Sequence, residues 1–370
     1  MKLWARHLLA FVLPLATLAF AASGPHRWWV ALAWLGIIPV ILAVDRFAGP
    51  AARGPAPDAM PRLPFGLLLW LLAAVQIATV VLLCRMAAAG GFSVDLLVAG
   101  YLVGNNSGWG AIVVAHELIH RPGRVERLAG RLLLVTVLYE HFYTEHLRGH
   151  HARVGTAADP ATARFGERWR PFLWRSITGQ LRSAWRLETR RLGDEHMRPW
   201  DPRLLRSRVV HGFLVEAAFL IAIAVAFGPA ALAVFVWQAF TAVGLLESVN
   251  YFEHWGLARE ARVVRPVDSW DSESWFTLYS LVGLARHADH HADAARPYPL
   301  LRHHDESPKL PTGYYGMVAL AQLSNARFRR LMTEELRARG LGPFAGARAP
   351  EPQPDSRPVA TGHEVGQASV

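Results

Sequence analysis

The sequence predicts an all-α, polytopic membrane protein with about six transmembrane helices and a histidine-rich cap on the cytosolic face. Three observations carry that expectation. Of 370 residues, 52% are hydrophobic, fourteen of them tryptophan, and the mean hydropathy is positive, a composition that fits lipid-facing surface. Apolar runs long enough for a hydrocarbon core of about 30 Å recur in pairs. The net charge of +10 comes almost wholly from arginines in the loops beside those runs, since Lys2 and Lys309 are the only lysines. That is the positive-inside pattern of a cytoplasmic membrane face, and it argues against a nucleic-acid surface.

The first apolar run, residues 3–22, follows Lys2 and Arg6. Its Ala19, Ala21 and Ala22 have the look of a signal-peptide cleavage site, but a second run at 28–44 comes after a short turn. The two read better as a retained hairpin. Residues 45–62, rich in Pro, Gly, Ala and Arg, read as a loop. Runs at 64–84 and 94–115 make a second hairpin turning at Gly90 and Gly91. Asn105, Asn106 and Ser107 lie inside the second of these, where polar groups either line a cavity or bond helix to helix.

Residues 130–143 are apolar but, at about 1.5 Å per residue, too short to cross. A helix that dips in or lies on the surface is expected there. Runs at 209–227 and 229–248 make the third hairpin around Gly228. Residues 314–339 read as an amphipathic helix. Residues 1–340 are thus expected to form one membrane domain, with 341–370 a disordered tail.

Six spans with both termini inside bring four histidine motifs to one face. These are HELIH at 116–120, EHLRGHH at 145–151, NYFEHWGL at 250–257 and LARHADHHAD at 284–293. They hold His116, His120, His146, His150, His151, His254, His287, His290 and His291. On an α-helix His146 and His150, four apart, share a face, with His151 beside them. Neutral imidazole binds iron, zinc, copper and nickel. Nine such ligands exceed what one ion takes, so two ions are expected. Glu117, Glu145, Glu253 and Asp289 lie between the histidines, either accepting their free ring N–H groups or pairing with arginines of this basic face. The other histidines, His7, His26, His141, His196, His211, His303, His304 and His363, are expected to be unligated, His303 and His304 on a solvated loop. One cysteine, Cys84, excludes an intramolecular disulfide and a four-cysteine iron site, so electrons would come from outside.

HELIH also fits the HExxH pattern, in which Glu117 would be the general base of a zinc protease. That reading needs one further ligand and leaves the other clusters unexplained.

Taken in order, HELIHR, EHLRGHH with Asp159 and Pro160 after it, NYFEHWGL, LARHADHH and LPTGY at 310–314 resemble the motifs of the integral-membrane alkane 1-monooxygenases. These belong to the membrane di-iron group that includes fatty-acid desaturases. The resemblance runs from about residue 105 to 314 and includes LRSAWRLE at 181–188. It implies two non-haem iron ions held by the nine histidines, which activate O2 to hydroxylate the terminal carbon of an alkane or similar alkyl chain. It also implies a rubredoxin, with an NAD(P)H-dependent rubredoxin reductase, as electron source. The site would lie on the cytoplasmic side of a bacterial inner membrane, and the lipid-soluble substrate would enter from the bilayer. A fatty-acyl desaturase or hydroxylase with the same metal site, and a non-catalytic metal transporter, are the competing readings. Where the family typically reads QRHSDHH, this chain has Ala285 and Ala288, and its preceding segment reads DSWDSESWFTL. These departures spare the ligands and bear on substrate identity.

Overall fold

The computed structural model describes residues 3–53 and 61–346. Within them the chain is helical, with no strand and two isolated bridges. Helices α1 (Leu3–Ser23), α2 (Trp28–Phe47) and α3 (Leu63–Gly90) are each long and apolar enough to cross a membrane. Asp45 belongs to α2 rather than to the loop expected from that position. Its buried carboxylate accepts Ser274 Oγ and Thr277 Oγ1, each at 2.7 Å, and Gly316 N at 3.2 Å. A charged residue at a helix end is retained because three donors from two later segments surround it.

Helix α4 spans 94–119 and is continuous, but its turn Ser107–Ile112 is π-helical. It is the fourth of the six spans expected from the sequence and is not among the five helices with membrane-spanning length and composition. Gly100, Gly104 and Gly108 form a stripe along it. A Cβ on Gly100 would stand 2.0 Å from Trp237 Cδ1, one on Gly104 2.5 Å from Thr241 Cβ, and one on Gly108 2.7 Å from Leu245 Cδ2. Only glycine admits so close a partner helix.

After α4 comes α5 (Arg124–Val135), which buries Gly130, Leu133, Leu134 and Val135. It does not cross, as its length requires, and the chain turns back at 136–141 into α6, a short helix over 142–153 whose central turn His146–His150 is π-helical. Then α7 (Trp169–Arg191) lies across the cap. α8 (Arg208–Phe227) and α9 (Pro229–His254) complete the five helices with membrane-spanning length and composition.

The partner of the glycine stripe is α9, the axis of the fold. It continues six residues past the expected end at 248, and every residue from Leu245 to His254 is buried. Its Gln238 joins a polar network inside the bundle. Ser107 Oγ donates to Gln238 Oε1 at 2.8 Å, Gln76 Nε2 to Ser107 Oγ at 2.8 Å and Asn106 Nδ2 to Gln76 Oε1 at 3.0 Å. Asn106 and Ser107 therefore bond helix to helix.

The cap closes with α10 (Trp275–Ser280), α11 (His287–Ala292), α12 (Tyr314–Leu323) and α13 (Asn325–Arg339). The single helix expected over 314–339 is two, broken at Ser324 (φ −136°, ψ 48°). The break lets Phe328, Met332 and Leu336 join Trp255, Trp270 and Tyr314 in one buried apolar cluster. Of the tail expected over 341–370, Leu341 N still donates to Leu336 O at 2.9 Å and Phe344 packs 5.8 Å from Phe165; residues from 347 on lie outside those described.

Candidate metal centre

Nine histidines from α4, α6, α9 and α11 and their ends converge on one region and divide into two groups. His116, His120, His146, His151 and His290 make one; His150, His254, His287 and His291 make the other. Within each group the ring nitrogens lie within 4.8 Å of one another, and neither group includes a carboxylate. HELIH and EHLRGHH meet directly, His146 Nε2 standing 3.1 Å from His120 Nε2, so residues between them do not cross the bilayer.

The division follows backbone geometry. His116 and His120, and likewise His287 and His291, are four apart on α-helical turns, and each pair shares a group. His146 and His150 are also four apart but do not. The π-turn between them carries a His151 N–H to His146 O bond, so the in-line neighbour of His146 becomes His151, five residues on. Their Nε2 atoms are 3.0 Å apart. The expectation that His146 and His150 share a helix face is corrected by that one added residue, which turns His150 to the second group. π-turns of this kind gather at functional sites.

Burial determines the charge state. It holds the imidazoles of His146, His151, His287, His290 and His291 well below their ordinary pKa, and neighbouring imidazoles push in the same direction. The rings are neutral, and neutral rings aim lone pairs at each other. His290 Nε2 is 3.2 Å from His151 Nε2, and His287 Nε2 is 3.2 Å from His254 Nε2. Both ring nitrogens of His291, with Nδ1 of His254 and of His287, are buried without a protein partner. Buried polar atoms are rarely left so. All four belong to the second group; in both groups imidazole nitrogens face one another at 3.0–3.2 Å, an arrangement a cation between them would satisfy, and the residues present fit a two-ion metal site.

A fatty acid desaturase family model matches residues 93–320. Alkane 1-monooxygenase 1 of Pseudomonas aeruginosa is 37% identical over 351 residues, spanning 87% of this chain and 89% of its own length. The chain belongs to the alkane 1-monooxygenase family, within the fatty acid desaturase group. Alkane 1-monooxygenase 2 of the same organism is 35% identical over 333 residues, spanning 85% of each chain. The alkane 1-monooxygenase of Acinetobacter baylyi is 36% identical over 244 residues, spanning 64% of this chain and 59% of its own.

In this alkane 1-monooxygenase family member the five acidic residues singled out in the sequence have different neighbours. Asp159 Oδ2 accepts His150 Nδ1 at 2.9 Å and Thr162 Oγ1 at 2.6 Å. Burial alone would raise this carboxyl; His150 and Thr162 reverse that and hold it below its ordinary value. A proton fixed on Nδ1 leaves Nε2 free for a metal. Glu253 accepts Tyr314 Oη at 2.7 Å and stands 3.3 Å from His287 Nε2. The other three have arginine partners: Glu117 pairs with Arg121, Glu145 with Arg153 at 2.8 Å and Asp289 with Arg296 at 2.6 Å. Glu117 Oε1 also accepts Tyr298 N at 3.2 Å.

Asp271 escaped the sequence reading, and His303 and His304 are more engaged than it expected. Asp271 is fully buried, accepts Ala288 N at 2.7 Å and Ser307 Oγ at 3.1 Å, and faces Lys309 at 3.7 Å. It anchors the start of α11, and with it three site histidines. His303 and His304 both lie on a loop with exposed neighbours, but their side chains are engaged: His304 Nε2 is 2.8 Å from Asp289 Oδ1, and His303, with a side chain 4% exposed, is 2.6 Å from Arg286.

Removing the Asp159 carboxylate with Asp159→Ala is expected to lower metal affinity about 10–100-fold, the usual weight of a partner that orients a ligand ring. Competition with a chelator measures it. Affinity equal to wild type would assign Asp159 to loop structure alone.

Against the site lies an apolar cavity of about 30 Å³ lined by Trp109, Phe142, Leu246, His116, His146 and His150. On the other side of Trp109 is a cavity of about 160 Å³ between α1, α2, α4, α9 and α12.

Proposed function

We propose that this chain is an alkane 1-monooxygenase whose two histidine groups hold iron and hydroxylate the terminal carbon of an alkyl chain drawn from the bilayer. The observation that carries it is the pair of histidine groups, nine imidazoles with an apolar cavity against them and a second cavity across Trp109 between α1, α2, α4, α9 and α12. Iron, when bound, supplies activation of O2. The balance is one oxygen atom into the terminal C–H bond to give a primary alcohol, the other leaving as water with two electrons and two protons. The chain's residues position and exclude: the walls at Trp109, Phe142 and Leu246 keep water from the reacting end, and a dry site limits side reactions.

The proposed ligands are His116, His120, His146, His151 and His290 for one ion and His150, His254, His287 and His291 for the other, with Asp159 and Glu253 orienting. The electron donor is a rubredoxin served by an NAD(P)H-dependent rubredoxin reductase. An acidic donor suits the open cavity of about 420 Å³ beside α7, which is lined by Arg153, Arg164, Arg175, Arg182, Arg186 and Arg190. The loop at its floor, 157–160, contains Asp159, the neighbour of His150. The arginine-rich loops favour a bacterial inner membrane with this face to the cytoplasm, and residues 1–340 as one domain.

The test is product analysis with protein in lipid nanodiscs, a rubredoxin and its reductase, n-octane and O2. A primary alcohol is expected, at a rate that falls as salt screens docking. An alkene from a fatty-acyl substrate with no alcohol from the alkane would move the chain to the desaturases.

A further inference from the structure

Helices α2 and α12 pack together and both line the outer cavity, α2 through Ile41 and Leu42 and α12 through Tyr315 and Val318. Asp45 stands at their junction, one turn beyond Ile41. Its Oδ2 accepts Gly316 N at 3.2 Å and its Oδ1 accepts Thr277 Oγ1 at 2.7 Å. Gly313, just ahead of α12, has no room for a side chain against the same carboxylate. Thr277 Oγ1 in turn accepts Tyr314 N at 3.0 Å, and Tyr314 Oη reaches Glu253 Oε1 at 2.7 Å. Glu253 Oε2 lies 3.3 Å from Nε2 of His287, a member of the second histidine group. An unbroken polar chain thus runs from the helices of the outer cavity to a site histidine. Asp45 and Glu253 are each 2% exposed and Thr277 and Tyr314 fully buried, so water does not compete for these bonds.

Coupling between two sites needs an element with two arrangements that both sites bias. Tyr314 supplies one. Its phenol has a single hydrogen and two acceptors, Glu253 Oε1 at 2.7 Å and Leu284 O at 3.0 Å. Directed at Glu253, the hydroxyl fixes the side chain beside His287. Directed at Leu284, it fixes the turn Leu284–Arg286 that leads into α11 and releases Glu253. Leu284, Glu253 and His287 all line the inner cavity. Tyr314 is also the first residue of α12, so its ring follows any shift of α12 against α2. An alkyl chain entering the outer cavity packs against both helices and biases that junction.

We propose that Asp45, Thr277 and Tyr314 are positioning residues that couple occupancy of the outer cavity to the second histidine group, so that an alkyl chain and the metal each bind more tightly when the other is present. The linkage runs both ways, since a ligand that raises metal affinity is itself held more tightly by the same factor once the metal is bound. The inference rests on the proposed function for the kind of chain that enters, but not for the linkage.

The experiment measures iron affinity by chelator competition on the full chain in nanodiscs, with and without n-octane. In wild type n-octane is expected to raise the affinity at least about fivefold, the lower end of ordinary couplings between sites. Asp45→Asn keeps the size of the side chain but leaves one acceptor oxygen where the carboxylate has two, and most of that gain is expected to disappear. Tyr314→Phe, which keeps the buried ring and removes only the hydroxyl, should lose it too. A residue that merely holds the fold would lower affinity alike with and without n-octane and leave their ratio unmoved. A ratio equal to wild type in Tyr314→Phe, or a wild type whose iron affinity ignores n-octane, would overturn the coupling. If Asp45→Asn binds no iron, Tyr314→Phe decides alone. Wild type that shows the gain yet forms no alcohol leaves the coupling standing and removes the oxygenase reading; alcohol formed without the gain does the reverse.

Discussion

Replacing His291 with alanine is expected to remove one of the two ions and bring alkane hydroxylation below detection, whereas His120→Ala keeps both ions with weakened affinity. The asymmetry comes from ligand number. The second group has four histidines and the first five, so the same substitution leaves three ligands in one and four in the other. His291 is also the least replaceable ring by position. Its centroid lies 4.4 Å from that of His287, 4.6 Å from His151 and 4.9 Å from His150, so it faces both groups, and neither of its nitrogens has a protein partner. Metal content per chain by elemental analysis, with Mössbauer spectroscopy on iron-loaded protein, reads the outcome. Equal loss in the two variants would mean that the groups do not hold separate ions.

How much of this was legible in the sequence depended on the range of the interaction. The all-α class, the membrane runs and the nine site histidines could be read because apolarity and imidazole chemistry belong to residue types and their order. Which histidine joins which group could not. The π-turn at His146–His150 adds a residue per turn with nothing in EHLRGHH to announce it, and packing against α4 and α11 decides it. Asp45 looked like a loop residue because its partners, Ser274, Thr277 and Gly316, lie 229 to 271 positions later. Asp271, inside the segment where the chain departs from its family, could not be assigned for the same reason; Ser307 is 36 residues on. The glycine stripe of α4 was there to be seen, since small residues every fourth position signal close helix packing. Asn105 stood out with its neighbours as lining a cavity or bonding helices, and the structure divides the three, Asn105 taking the first role and Asn106 and Ser107 the second.

Trp109→Ala should displace the substrate range toward longer and bulkier chains and lower the yield of terminal alcohol from short ones. Trp109 is the wall common to the inner cavity of about 30 Å³ and the outer one of about 160 Å³. Its indole packs against Tyr315 with centroids 4.7 Å apart, and it projects from the π-turn between Gly108 and Gly110, neither of which has a side chain to take its place. Truncation therefore joins the two spaces. A short chain then loses the surface that holds its methyl group in register, and each methylene that no longer packs against a wall forfeits about 1–3 kcal/mol of discrimination, roughly 10–200-fold in kcat/KM. Longer chains gain room beside the histidines. Truncating so large a buried side chain also costs about 3–5 kcal/mol of stability, so the unfolding temperature is measured alongside, and Trp109→Phe, a smaller truncation that keeps an aromatic ring, should fall between. The decisive readout is the profile of kcat/KM against chain length together with the share of subterminal alcohol. A lower rate with the optimum and the terminal selectivity unmoved would make Trp109 a packing residue and place the limit on chain length elsewhere in the two cavities.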